Sequence, residues 1–95
     1  MNLKNLHTEN KAVQTQLLFS PTQGNVISMQ IAKGETLKEH VSKIPALLIC
    51  VSGTAVYTDE KGTVINLTSG VYVMIEENIK HAINAVEESN FLLMK

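Results

Sequence analysis

Short stretches of alternating apolar and polar residues recur along most of the chain. Val13–Phe19 (VQTQLLF) alternates at its start. The segment VISMQIA sets three apolar side chains against two polar ones, Ile27, Met29 and Ile31 against Ser28 and Gln30. A two-residue period predicts half-buried β-strands. The run PALLICV, closed by Gly53, is almost continuously apolar and predicts a strand buried on both faces.

The second half of the chain follows the same pattern. TAVYTDEKGTVINL predicts a hairpin that turns at Asp59 to Gly62. VYVMI follows Gly70, and HAINAV and NFLLMK predict two more strands around a turn at Glu87 to Asn90. About seven or eight short strands without a sustained helical period predict an all-β sandwich or barrel. The period alone leaves a jelly roll, an immunoglobulin-like sandwich and a small barrel open.

Length and charge narrow the class of protein. The chain has 95 residues, of which 44% are hydrophobic and 18% charged, which fits one globular domain. We expect an arm or short helical turn over residues 1–12 and a single domain over residues 13–95. The net charge of −1 gives no attraction to nucleic acid. The longest apolar run is too short to cross a membrane and no signal peptide is recognisable, so the cytoplasm is the expected location.

Two glycine-led segments carry a resemblance to a known family. The stretch Gly34 to Gly53 resembles the first motif of the cupin family, G-x5-H-x-H-x(3,4)-E-x6-G, and matches it at both glycines and at His40. The stretch from Gly70 is similar to the second motif, G-x5-P-x-G-x2-H-x3-N, and matches it at Gly70 and His81. The resemblance implies a double-stranded β-helix barrel of jelly-roll type, with His40 and His81 facing each other inside it.

The departures from the family pattern concern the metal. In cupins three histidines and one glutamate hold a divalent ion, but here the second histidine is replaced by Ser42 and the glutamate by Ala46. Two histidines are fewer ligands than a firmly held ion needs. The resemblance therefore implies no tightly bound cofactor, and at most weak binding of Zn, Ni, Fe or Mn by His40 and His81. Asn78 replaces the second motif's inner glycine and is expected at positive φ, which Asn tolerates.

Three carboxylates near the two motifs, Glu39, Glu76 and Glu77, are candidates for a third ligand. Glu39 adjoins His40 and should point to the opposite face of its strand, and Glu76 and Glu77 lie in an approach turn. A serine–histidine nucleophile formed by Ser42 and His40 has no acid placed to orient the imidazole. Outside this region, His7 is expected to be a solvated surface residue. Cys50 should be a buried thiol, and Met29, Met74 and Met94 should be core filler.

These inferences lead to one preferred function and two alternatives. The preferred reading is a degenerate cupin that binds or senses a small molecule of unknown identity. Its expected pocket is lined by His40, Ser42, Ala46, Leu48, Cys50, Ile79, His81 and Ile83. The alternatives are a metal-dependent enzyme of dioxygenase or isomerase type with an incomplete ligand set, and an interaction scaffold. A homodimer is expected, with the segment through Phe19 crossing to the partner, because a small sheet protein has edges that must be covered.

Overall fold

A computed structural model describes all 95 residues as an all-β protein. A single turn of 3-10 helix, Leu3–Leu6, precedes nine strands. They are β1 Val13–Phe19, β2 Val26–Ile31, β3 Thr36–His40, β4 Ala46–Ser52, β5 Ala55–Asp59, β6 Val64–Leu67, β7 Tyr72–Ile75, β8 His81–Ala85 and β9 Ser89–Met94. None of the helical structure is long and apolar enough to span a membrane.

The strands form two antiparallel sheets packed face to face. One has five strands in the order β1-β2-β9-β4-β7, and the other has four in the order β3-β8-β5-β6. Neighbouring strands in each sheet are mostly distant in sequence, as in a jelly roll, where two Greek keys wind together. Strands β2 to β9 complete that arrangement. Strand β1 is an addition at the edge of the larger sheet.

The core lies between the two sheets. Its largest fully buried side chains are Tyr57 and Phe91, at 1% and 0% exposure. Burying a side chain the size of Phe91 contributes about 2–3 kcal/mol. Cys50 is fully buried among them as a free thiol, as predicted, and its burial raises the thiol pKa. Met29 is in the core too, but Met74 is 64% exposed, so the prediction that it is core filler is wrong.

Two predictions about strand faces need correction. The polar face of β2 is buried rather than solvated, since Ser28 is 0% and Gln30 7% exposed. The N-terminal arm covers this face, and His7 Nε2 lies 2.8 Å from Ser28 Oγ, so His7 is not the solvated residue expected. Strand β4 is buried on its inner face only, and its outward residues Leu47 and Ile49 remain half-buried. Its outer face lacks the second layer that full burial requires.

A row of polar side chains crosses four strands on the outer face of the larger sheet. Backbone register aligns Gln14 with Gln30, Gln30 with Asn90 and Asn90 with Ser52. Side-chain amides link them in turn: Gln14 donates to Gln30, Gln30 donates to Asn90 at 3.1 Å, and Asn90 donates to Ser52 at 3.2 Å. We call these four residues the outer polar row. No buried side-chain nitrogen or oxygen in the protein lacks a hydrogen-bond partner.

The predicted turns agree with the structure with one exception. The hairpin turn after Asp59 is present, and Asp59 Oδ1 accepts hydrogen bonds from the backbone N–H groups of Lys61 and Thr63 at 3.0 and 3.1 Å. The turn expected at Glu87 to Asn90 ends earlier, because β9 begins at Ser89. Strand β3 carries His40, which was expected on a strand, but the pattern did not predict the bounds of this strand because its sequence TLKEH is short and largely charged. Gly53, the last residue of the first motif, has φ +100° and packs against Glu88 and Ser89, so no side chain fits there.

Candidate functional site at the barrel mouth

Three strands of the smaller sheet end beside one another and place three titratable side chains in a row. His40 at the end of β3 is the register partner of His81 on β8, and His81 is the partner of Asp59 on β5. Residues that face each other across antiparallel strands have Cβ atoms about 4.5–5.5 Å apart and point to the same face. We call the region around these three residues the barrel mouth.

The two histidine rings are in direct contact. Their centroids are 4.2 Å apart with an angle of 57° between the ring planes. The predicted meeting of His40 and His81 is therefore confirmed. Its depth differs from the prediction, because His81 is only 4% exposed while His40 is exposed, so the pair lies at the rim of the barrel rather than inside it. Strand β3 is an edge strand, and an edge leaves its side chains open to solvent.

Both histidines are held in the same tautomer by the backbone. Nδ1 of His40 lies 3.0 Å from the carbonyl oxygen of Lys38, and Nδ1 of His81 lies 3.0 Å from that of Ile79. A carbonyl oxygen only accepts, so each Nδ1 carries the proton and each neutral ring keeps a lone pair on Nε2. Neither Nε2 atom has a hydrogen-bond partner within the protein. The mouth thus presents two free acceptors.

Burial keeps His81 in this neutral form. Desolvation lowers its pKa below the ordinary value of 6.5, and the neighbouring His40 and Lys95 act in the same direction. The hydrogen bond to Ile79 and the charge of Asp59 raise the pKa but do not offset the burial. At neutral pH the Nε2 of His81 is therefore an acceptor rather than a donor.

Tyr57 and Asp59 complete the mouth and were missed by the sequence analysis. The Tyr57 ring stacks on His81 with centroids 6.0 Å apart, and its hydroxyl donates to Asp59 Oδ2 at 3.1 Å. Burial, together with this bond to a carboxylate, raises the pKa of Tyr57 to about 12. Burial alone would raise the pKa of Asp59, but hydrogen bonds from Thr63, Tyr57 and Lys61 outweigh it and lower that pKa. The sequence feature that could have predicted their contact is the two-residue spacing, which places Tyr57 and Asp59 on the same face of one strand.

The turn before His81 has the conformation that its sequence predicts. Asn78 has φ +60° and is the only residue other than glycine at positive φ, which confirms the prediction. Its backbone N–H donates to the carbonyl oxygen of Ser42 at 2.8 Å, which joins the two motif segments. The Ser42 hydroxyl donates to the carbonyl oxygen of Ile44 at 2.8 Å. Ser42 therefore closes a local turn.

The remaining residues of the expected pocket are divided between core and rim. Four of them are buried members of the core, Ala46, Leu48, Cys50 and Ile83. Ile79 is half-buried and borders a cavity of about 210 Å³. The same cavity is bordered by Asp59 and by the ion pair of Lys61 with Glu76, whose Nζ and Oε2 atoms are 2.6 Å apart. Open space near the mouth thus lies beside Ile79 rather than above Leu48 and Cys50.

The donor set does not fit a firmly held metal ion. Nowhere do three or more His, Cys, Asp or Glu side chains form a group that could hold one. Asp59 is aligned with His81, but its oxygens already accept bonds from Tyr57, Lys61 and Thr63. Ala46 points into the core beside Ile75 and offers no ligand atom. Two imidazoles alone are fewer than the three protein ligands of a typical catalytic zinc site.

Solved structures with the same fold are numerous, although no protein-family model and no curated protein matches the chain. A cupin superfamily protein from Desulfitobacterium hafniense DCB-2 is similar with a TM-score of 0.84 at 19% identity, over 98% of this chain and 84% of that one. A cupin-2 domain protein from Shewanella frigidimarina NCIMB 400 gives 0.82 at 14% identity, over 100% and 92%. KdgF from Halomonas sp. gives 0.78 at 14% identity, over 95% and 88%.

These likenesses extend over the whole barrel. Two jelly-roll sheets and full-length structural matches together show that this chain has the double-stranded β-helix fold of these cupin structures. The predicted fold class is confirmed. A fold of this kind hosts many activities, so the function has to be argued from the barrel mouth itself.

Proposed function

We propose that this protein is a small-molecule binding module that engages its ligand at the barrel mouth and holds no metal tightly. The observation that supports this most is the pair of free Nε2 acceptors on His40 and His81, whose rings are 4.2 Å apart. These two Nε2 atoms lie at the end of a filled barrel and have no hydrogen-bond partner within the protein. They can therefore accept hydrogen bonds from the N–H or O–H groups of a ligand.

The chemistry of the mouth favours a particular class of ligand. Both imidazoles accept hydrogen bonds, and the nearby carboxylate of Asp59 accepts as well. The cation beside the cavity, Lys61, is already paired with Glu76. The ligand that fits is therefore a small organic molecule bearing N–H or O–H donors, with an apolar part to lie against Ile79. A carboxylate would meet acceptors instead of donors.

Ligand-observed NMR with a defined panel tests this proposal. The panel consists of small alcohols, sugars, amides, amines and carboxylic acids, screened against the wild-type protein and two variants. Donor-bearing compounds should give hits that His40→Ala removes. His7→Ala is the matched control, because His7 lies on the outer face against Ser28, and it should leave those hits unchanged. Hits dominated by carboxylic acids, or hits that survive His40→Ala, would contradict the proposal.

A metal-dependent enzyme is the second candidate, and one observation favours it. The Nδ1–carbonyl hydrogen bonds of His40 and His81 fix the tautomer and ring orientation that metal-binding histidines need. An ion held there would need other ligands, from water or from a substrate. Zinc or nickel titration monitored by NMR separates the two candidates, since binding in the nanomolar range would favour the enzyme.

A further inference from the structure

The cavity beside the barrel mouth lies where the edges of the two sheets approach each other. Strand β6 is the last strand of the smaller sheet and β7 the last strand of the larger one, and no strand ladder joins them. Ile65 of β6, Val73 of β7 and Ile79 give the cavity an apolar lining. Its volume of about 210 Å³ is below the roughly 300–1,000 Å³ of pockets for drug-sized ligands, so it suits a short aliphatic chain.

The rim of this cavity is held by contacts between two turns. Lys61 in the turn between β5 and β6 lies with its Nζ 2.6 Å from Oε2 of Glu76, which follows β7. The same two turns are joined again nearby, where the backbone N–H of Lys80 donates to Glu60 Oε1 at 3.0 Å. The backbone N–H of Glu60 donates in return to the carbonyl oxygen of Lys80 at 2.9 Å. The cavity is therefore preformed, as small-molecule sites usually are.

The charged side chains that border the cavity are negative overall. They are Asp59, Glu76 and Lys61, which gives two carboxylates and one ammonium group. Glu76 is paired with Lys61, whereas Asp59 forms no ion pair. Because binding sites and their ligands are complementary in charge, an unpaired carboxylate beside an apolar cavity favours a cationic ligand.

The mouth offers as many free acceptors as an ammonium group has donors. Asp59 Oδ1 accepts two backbone N–H groups and Oδ2 accepts one bond from Tyr57, so about one of the roughly four acceptor positions of the carboxylate remains. The Nε2 atoms of His40 and His81 are the other two free acceptors. All three residues lie on adjacent strands, and a primary ammonium group carries three N–H donors where a hydroxyl carries one.

The acceptor on His81 opens to the mouth although the residue is only 4% exposed. Every buried side-chain nitrogen or oxygen in the protein has a hydrogen-bond partner, and Nε2 of His81 has none. The Nε2 atom must therefore belong to the small part of the ring that remains accessible. Polar atoms of nearly buried side chains are normally bonded, so this atom points to a ligand.

We propose that the ligand of the barrel mouth is a small primary ammonium ion with a short apolar chain. This inference rests on the proposed function and names the ligand class of that same site. The three N–H groups of the ammonium bond to the Nε2 atoms of His40 and His81 and to Oδ2 of Asp59. The chain lies in the cavity against Ile65 and Ile79. An alcohol would leave two of the three acceptors without a donor, and a carboxylate would leave all three.

NMR titration with a matched set of compounds tests the head group and the chain separately. The probes n-butylammonium, n-butanol and butyrate share one chain and differ in the head group. At about pH 7.5, n-butylammonium should bind about tenfold more tightly than n-butanol or better, because its hydrogen bond to Asp59 is charge-assisted. Butyrate should not bind. Methylammonium keeps the head group and lacks the chain, so it should bind more weakly than n-butylammonium.

Three variants assign these preferences to residues. Asp59→Asn removes the charge but keeps an oxygen for the N–H groups of Lys61 and Thr63, so the hairpin should stay folded. It should lower the affinity for n-butylammonium about tenfold and leave that for n-butanol nearly unchanged. Ile79→Ala should reduce the preference for n-butylammonium over methylammonium. Glu77→Gln is the matched control, because Glu77 is an exposed carboxylate that does not border the cavity, and it should change neither preference.

The outcomes separate this inference from the proposed function. If n-butanol bound the wild type as tightly as n-butylammonium, and His40→Ala removed the binding of both, the mouth would bind neutral donors and the ammonium inference alone would be wrong. It would also be wrong if Asp59→Asn kept the preference for n-butylammonium or if Glu77→Gln lost it. If none of the probes bound, or if butyrate bound best, both the inference and the proposed function would be wrong.

Discussion

The outer polar row and the barrel mouth are both built from polar side chains aligned across neighbouring strands, but only one of them is complete. In the outer row every residue finds its partner on the next strand, from Gln14 to Ser52. At the mouth, His40 and His81 each donate a hydrogen bond from Nδ1 to a backbone carbonyl oxygen, and the Nε2 atom of each ring has no partner within the protein. The difference indicates a structural role for the row and a recognition role for the mouth.

The largest effect should follow from completing the mouth. Ser42→His with Ala46→Glu supplies the two family ligands that this chain lacks, and should tighten zinc binding about 1,000-fold or more. Ala46 is 4% exposed, so the new carboxylate would be buried and the variant should be stable only with metal. Isothermal titration calorimetry measures the affinity. Adding His40→Ala to the double variant should abolish the gain, and unchanged binding in the double variant would show that the four positions do not converge.

Interrupting the outer row should cost stability without affecting the mouth. Asn90 is 1% exposed and bonds to both Gln30 and Ser52, so Asn90→Ala leaves buried polar groups unpaired and should cost about 2–3 kcal/mol. His40→Ala removes an exposed ring and should change stability by about 0.5 kcal/mol or less. Chemical denaturation measures both. If both variants lost the same free energy of unfolding, the outer polar row would be no more important for stability than the barrel mouth.

A smaller effect is expected in the pH dependence of stability. Burial lowers the pKa of His81 from 6.5, and that of His7 is lowered too, so the unfolded chain binds these protons more readily than the folded one. Stability should therefore be full above about pH 6.5 and fall as the pH drops through the lowered values. Denaturation curves between pH 7.5 and 5 measure this decline. His81→Gln should remove the part of the decline that is due to His81, and His7→Gln should remove only the part that is due to His7. If the variant carrying both His81→Gln and His7→Gln lost stability as steeply as the wild type over this pH range, other titratable groups would be responsible for the decline.

The sequence predicts those features of the fold that depend on residues close to one another along the chain. The bounds of β1, the hairpin at Asp59 and the positive φ of Asn78 all follow from local alternation or from the properties of single residues. The meeting of His40 and His81 followed from two motifs in order rather than from local chemistry.

What the sequence does not predict depends on partners that are far away along the chain. Gln30 is buried because Asn90, 60 residues later, lies beside it. His7 is engaged because the arm folds back onto Ser28. Asp59 reaches the mouth through a register that no local pattern encodes, since β5 and β8 are separated by two other strands in sequence. The exposure of His40 likewise depends on β3 being an edge.

The metal content of the purified protein tests the central claim most directly. Protein prepared without chelator and passed over a gel-filtration column should carry well below one equivalent of any transition metal, because His40 and His81 are the only imidazoles at the mouth and nothing else there completes a ligand set. Inductively coupled plasma mass spectrometry measures the number of metal ions per chain. About one tightly held ion per chain, lost in His40→Ala and kept in His7→Ala, would contradict the account and support a metal-dependent enzyme instead.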